Sequence, residues 1–180
     1  MIVRTANLSD LPGIMEVENN SFIPGIAENI KVFEDRLLTF SAGFFVLVEQ
    51  KNSQEKIAGY FASEIWNKIP EQEEASDYFL LGHSAAKLHN VDGNTLYISS
   101  IAVSSEYRGK GLGKFLFSEC INKIQEKFPQ VKQKVLLVNE NWKGAKKIYS
   151  DYGFEEYCIL ENFFDSTSGK KSNGILMRCP

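Results

Sequence analysis

Apolar residues near the start of the chain recur at helical spacing in two groups, Leu11, Ile14, Met15 and Val17, then Ile30, Phe33, Leu37 and Leu38. Two amphipathic helices are expected there, the first capped by Asn7 or Ser9 after a short strand at Ile2 to Arg4 and the second over Glu28 to Phe40. Gly43 then releases the chain into GFFVLVEQ, a continuous apolar run that reads as a buried strand. The polar KNSQE turn leads to IAGYFASEIW, so the pair reads as a hairpin. From Asn67 to Asn94 the pattern is polar at first and irregular; a segment this long predicts a substrate-shaping loop, with one helical turn in EQEEASDYFLL. Glu73 and Glu74 in that turn read as solvated.

The second half alternates differently. Leu96 to Val103 is a fourth strand, and Leu112, Phe115, Leu116, Cys120, Ile124 and Phe128 make an apolar helical stripe that Pro129 ends. Val135 to Val138 is a fifth strand, Gly144 to Tyr152 a fourth helix, Gly153-Phe154 the start of a sixth strand, and GILMRCP a last one. Strands in hairpin order followed by strands alternating with helices predict an α/β chain built on one mixed sheet covered by helices.

Composition narrows the function. With 180 residues, 43% of them hydrophobic, and no Pro/Ser-rich divider, the chain is expected to form a single domain over 1–180. A net charge of -3 and a pI near 5.5 argue against a nucleic-acid partner. No apolar stretch reaches the roughly 20 residues that span a bilayer, so no membrane partner is expected. Cys120, Cys158 and Cys179 are an odd number without metal-ligand spacing, and His83 and His89 alone make a zinc site improbable. The N-terminal MIVRTANLSD has no basic segment followed by an apolar run, and a reduced, cytoplasmic chain is the expectation.

The candidate chemistry sits between the fourth strand and the helix after it, in Arg108-Gly109-Lys110-Gly111-Leu112-Gly113-Lys114. Glycines leave no Cβ in the way and tolerate unusual backbone geometry, so successive N–H groups can turn toward an anion at a helix N-terminus. Lys110 and Lys114 add positive charge. A Walker A loop is excluded because Gly113-Lys114 is followed by Phe115, and a dinucleotide fingerprint begun at Gly109 would place Lys114 where its third glycine belongs. The Arg-x-x-Gly-x-Gly spacing after a strand resembles the acyl-CoA-binding motif of the GNAT N-acetyltransferase superfamily.

KGAKKIYSDYGFEEY strengthens the likeness, since it resembles the superfamily's A-x-x-x-Y-x-x-x-G-F through Ala145, Tyr149, Gly153 and Phe154. The resemblance implies six or seven strands, about four helices, and a splay between strands 4 and 5. There Ile101, Ala102 and Val103 would offer main-chain hydrogen bonds to acetyl-CoA, the co-substrate, and Tyr149 would donate to the leaving thiolate. A backbone N–H near Ala102 or Val103 would stabilise the oxyanion. Glu18-Asn-Asn-Ser21-Phe22-Ile23, Gly43-Phe44-Phe45 and Gly82-His83-Ser84 look like segments of the arylalkylamine N-acetyltransferases, the group containing serotonin N-acetyltransferase. That group carries two relay histidines on the fourth strand, where this chain has Tyr97 and Ser99. Glu64 and His83 are therefore the candidates to deprotonate the amine acceptor. The superfamily commonly has Asn seven residues before its Tyr; Trp142 stands there instead, with Asn141 one removed. The expected function is acetyl transfer to a primary amine by direct attack, with two alternatives: a silent acyl-CoA-binding module, and an acetyltransferase of protein N-termini or lysines. The architecture leaves a homodimer through terminal strands open.

Overall fold

A computed structural model describes residues 1–51, 54–165, 169 and 171–180. Seven strands form one sheet in the order β1-β2-β3-β4-β5-β7-β6. These are β1 (Ile2–Thr5), β2 (Phe44–Lys51), β3 (Gln54–Trp66), β4 (Thr95–Val103), β5 (Gln133–Asn139), β6 (Glu155–Asp165) and β7 (Lys171–Cys179). Every neighbouring pair is antiparallel except β4 and β5, which are parallel. The expected mixed sheet is thus present with seven strands. The expected KNSQE turn includes positions 52 and 53, which lie outside the described residues.

Among the described residues there are six helices, where about four were expected: α1 (Leu11–Ser21), α2 (Ile30–Thr39), α3 (Ala75–Tyr78), α4 (Ala85–Leu88), α5 (Leu112–Lys127) and α6 (Lys143–Tyr152). Two of them are single turns inside the 67–94 segment: α3 is the helical turn expected in EQEEASDYFLL, and α4 is an addition. Asn7 caps not α1 but the 3-10 turn Leu8–Asp10 that leads into it, accepting from the Ser9 N–H, while Asp10 accepts from the Asn7 N–H; α1 itself is entered at Asp10 with no side-chain cap. The α5 helix stops one residue before Phe128, whose extended φ of -125° suits a residue preceding proline.

Both faces of the sheet are covered, which is why β2 reads as an unbroken apolar run. Phe44, Val46, Val48, Tyr60 and Ala62 pack under α1 and α2 with Ile14, Val17, Phe33 and Leu37. Phe45, Leu47, Phe61 and Ile65 face α5 through Leu116, Phe117, Cys120, Ile121 and Ile124. Three stripe residues of the periodicity reading lie outside this core: Ile30 is 47% exposed, Leu38 67% and Phe115 42%. Leu38 and Phe115 fall at the edge of their helices' buried arcs and Ile30 is the first residue of α2, positions where spacing alone does not decide.

The feature that positions everything else is a bulge. Ala62 pairs with Ser100 and Ser63 with Ile98, leaving Ser99 as an extra residue in β4. The β4–β5 ladder ends at that point, with Ile98 opposite Leu136 as its last pair. A bulge bends its strand and adds twist, so β4 turns away from β5 and the two part, as expected between strands 4 and 5. Phe117 holds the far side of the opening, its ring 5.0 Å from Tyr149, 5.3 Å from Tyr152 and 5.8 Å from Phe154. Phe117→Ala should lower the unfolding free energy by about 3–5 kcal/mol, measured by chemical denaturation; a loss below 1 kcal/mol would contradict its place as the keystone of α5 and α6.

Candidate active site

The chain leaves β4, makes one turn of 3-10 helix at Ser105–Tyr107, and enters α5 through the glycines. Gly109 and Gly111 have φ of 75° and 76°, a left-handed backbone that costs other residues roughly 1–2 kcal/mol. A Cβ at either would meet nothing within 4 Å, so these glycines answer to handedness and to clearance for something that approaches the backbone. Gly111 caps α5 and leaves the first-turn N–H groups of Leu112, Gly113 and Lys114 without helical partners, at the positive end of a 16-residue helix. Gly113 differs: a Cβ there would sit 3.3 Å from Ile148, so its reason is the close approach of α5 to α6. Arg108 donates from Nε to the Val103 carbonyl at 2.9 Å and from Nη2 to Ser21 Oγ at 3.0 Å, tying the turn to the end of α1.

A cavity of about 590 Å³ runs from this turn into the splay. Ile101, Ala102, Val103, Arg108, Gly109, Gly111, Leu112, Gly113, Lys114 and Tyr149 all line it, so the structure brings these expected cofactor contacts together. Lys110 is not among them: its ammonium lies over the Tyr107 ring and donates to the Glu106 carbonyl at 3.2 Å. Along Ser99 to Val103, β4 has no β5 partner, so alternate backbone groups point into the opening. Tyr149 is buried on α6, and its hydroxyl has no hydrogen bond to another described residue. Burial pushes that hydroxyl above its ordinary value, so it stays protonated and can donate a hydrogen bond.

The other candidates fall elsewhere. Glu64 is wholly buried on β3, accepting from Trp66 Nε1 at 3.0 Å and lying 2.8 Å from His83 Nε2, while His83 Nδ1 lies 3.0 Å from the Leu80 carbonyl. Neither residue lines the cavity. Glu64 is also 3.9 Å from Arg36, whose guanidinium forms two bonds with Glu28, so this pair belongs to a buried charge cluster joining α2, β3 and the loop before α4. Gly82 N–H donates to Glu28 at 2.7 Å.

A carboxylate to which the sequence reading gave no role does line the cavity. Glu18, 1% exposed, lines the cavity from α1; Tyr60 donates its hydroxyl to Oε2, and the Glu28 N–H donates to Oε1 at 2.9 Å. Ser100 Oγ lies 2.9 Å from the same Tyr60 hydroxyl and also lines the cavity. Burial pushes the Glu18 carboxyl up to about 7, against the two hydrogen bonds that favour its ionised form. Tyr60 is held well above its ordinary value by burial and by Glu18, and so remains the donor. Spacing carried the signal for Glu18. It lies seven after Leu11 and four after Ile14, on the buried stripe of α1, where a carboxylate needs a reason.

The acetyltransferase (GNAT) family model matches residues 12–154. The [ribosomal protein bS18]-alanine N-acetyltransferase of Haemophilus influenzae is 34% identical over 89 residues, which is 49% of this chain and 58% of that protein. The match therefore spans little more than half the length of that curated relative. Among solved structures, the ribosomal-protein-S18-alanine N-acetyltransferase of Escherichia coli superposes with a TM-score of 0.67 at 20% identity, covering 99% of this chain and 92% of that one. A Sinorhizobium meliloti phosphinothricin acetyltransferase in complex with AcCoA gives 0.71 at 19%, covering 99% and 87%. Chaetomium thermophilum Naa20 with a bisubstrate analogue gives 0.72 at 17%, covering 100% and 86%. These relatives correct the narrower arylalkylamine resemblance to one at the level of the family. The short segments behind it have local work here: Gly82, at φ 70°, donates to Glu28, and Ser84 Oγ and Ala85 N–H reach Asp35.

One consequence concerns stability. A raised carboxyl favours the folded state fully below its ordinary value of 4.5 and loses that contribution as pH climbs through about 7. Glu18→Gln carries no such penalty, so at pH 8 it should be more stable than the parent by about 1–2 kcal/mol, with the gap closing by pH 5. Denaturation at both pH values measures this, and an unchanged gap would contradict the burial of an ionisable Glu18.

Proposed function

Because the chain belongs to the acetyltransferase (GNAT) family, we propose that it transfers the acetyl group of acetyl-CoA to a primary amine by direct attack, with Glu18 as base and Tyr149 as donor to the leaving sulfur. What supports the reading is one cavity that carries an anion cradle at one end and, lining it as well, both a carboxyl near 7 and an unbonded tyrosine hydroxyl. The cradle suits acetyl-CoA. The first-turn N–H groups of α5, Arg108 and Lys114 would hold the diphosphate, and the unladdered edge of Ser99 to Val103 would pair with the amides of the pantetheine arm as a strand would.

The residues then divide the work. Glu18 removes a proton from the ammonium, and Tyr60 and the Glu28 N–H hold its carboxylate in place while it does so. As the amine nitrogen bonds to the thioester carbon, a β4 backbone N–H meets the charge growing on the carbonyl oxygen. When the carbon–sulfur bond breaks, Tyr149 donates a hydrogen bond to the thiolate, and the second proton of the attacking nitrogen, shed as the amide forms, restores the thiol. Full proton transfer is unfavourable from a phenol above its ordinary value of about 10 to a thiol near 8.5. No cysteine lines the cavity among the described residues, which agrees with transfer that forms no covalent enzyme species. The acyl-CoA-binding module drew its support from the missing histidine pair, and Glu18 removes that support. Transfer to a protein N-terminus is favoured by the names of the relatives, and the acceptor experiment below separates it.

Acetyl-CoA should bind in calorimetry, and free thiol should appear only when an amine is present. In Glu18→Gln, kcat should fall by about 10²–10⁴ with cofactor affinity unchanged. Since the ionised carboxyl is the active form, kcat of the parent should rise with pH through about 7, and the variant should lose that limb. Tyr149→Phe should lower kcat by roughly 10–100-fold without moving the limb. A Glu18→Gln enzyme that keeps both rate and limb would overturn the assignment.

A further inference from the structure

Trp142 stands between two aromatic residues from opposite sides of the splay. Its ring centroid is 5.1 Å from that of Phe22, at the end of α1, and 5.5 Å from that of Phe164, on β6. All three rings line the cavity that holds Glu18 and Tyr149. We propose that this Phe22–Trp142–Phe164 bridge sets acceptor specificity, admitting a compact apolar primary amine and excluding both an extended polypeptide and an amine that carries a carboxylate. The inference rests on the acetyltransferase reading above.

Size follows from the spacing. A polypeptide lying between two walls as a strand needs about 4.8 Å to each neighbour, so the walls must stand about 10 Å apart. Rings at centroid separations near 5 Å are in contact. The bridge leaves no lane for a chain between the end of α1 and β6. A narrow amine has only to present its nitrogen beneath the rings, where Ile26 and Leu81 continue the apolar lining.

Charge follows from the lining. Its charged side chains are Glu18, Glu28, Arg108 and Lys114. Arg108 is bonded to Val103 and Ser21 beside the glycine turn, and Lys114 lies in the first turn of α5. The α1 to α2 side therefore offers an ammonium the Glu18 carboxylate, with Glu28 already paired, and among the described residues it offers an acceptor's own carboxylate no free cation. Arg36 stands behind Glu28, occupied by it, and does not line the cavity.

The test uses the full chain, acetyl-CoA and three acceptors: n-pentylamine, L-glutamate, and a lysine-free decapeptide with a free N-terminal alanine. The parent should show kcat/KM for pentylamine at least about 10-fold above each of the others. Trp142→Ala should raise the peptide's kcat/KM by about 10-fold or more, chiefly through KM, while calorimetry finds acetyl-CoA affinity retained, which also reports the fold. Phe22→Ala, cut from the other end of the bridge, should move the peptide the same way. Preference of the parent for peptide or glutamate overturns this inference and leaves the acetyltransferase reading standing. So does an unmoved peptide-to-amine ratio in both variants when each still binds acetyl-CoA. Binding of acetyl-CoA with no turnover of any acceptor removes the reading and the inference together.

Discussion

Backbone N–H and C=O groups buried in a sheet need partners, and this sheet withdraws them along one seam. The extra residue at Ser99 turns β4 away from β5 immediately after Ile98 and Leu136, so the ladder stops while both strands continue. The catalytic reading depends on that divergence. It makes the cavity, leaves an edge that only a strand-like ligand can complete, and aims β4 at the glycine turn. The turn then lies at one end of the opening, with α1 and its carboxylate to one side and α6 with its tyrosine to the other.

Around that opening the protein keeps charge out of water. Glu18, Glu28, Arg36 and Glu64 are buried or nearly so, and they are linked through Tyr60, His83, Trp66 and the N–H groups of Glu28 and Gly82. A buried ion pair is weak evidence of stability, since desolvation can match the attraction gained. Here the cluster does something else. Arg36 neutralises Glu28, whose N–H steadies Glu18, and Glu18 itself faces Tyr60 and the cavity without a cation in contact. Burial then lifts its carboxyl toward neutrality, where a base for an amine is useful.

Local features were legible in the sequence to the extent that their causes were local. The cradle is a spacing of glycines after a strand, and Tyr149 is placed by Gly153 and Phe154 within one helix and turn; the structure sets both on one cavity, with Lys110 alone outside it because it folds back on Tyr107. The alternation of buried runs gave the mixed sheet. It could not give the placing of β7 between β5 and β6, which is a pairing choice between distant segments. Glu18 eluded assignment because its raised carboxyl comes from burial by elements distant in sequence, and because Tyr60, the partner that holds it in place, lies 42 residues away. Glu64 attracted assignment for the converse reason: its position late in β3 is visible, but its enclosure by Trp66, His83 and Arg36 is not.

The most direct measurement is a crystal structure with a non-hydrolysable thioether analogue of acetyl-CoA. The account predicts the diphosphate on the N–H groups of 109–114, the pantetheine arm along Ser99 to Val103, the sulfur-equivalent atom within hydrogen-bond reach of the Tyr149 hydroxyl, and the carbonyl carbon open to an amine held by Glu18. An analogue seated away from the seam between β4 and β5, or one whose carbonyl faces neither Glu18 nor Tyr149, would contradict it.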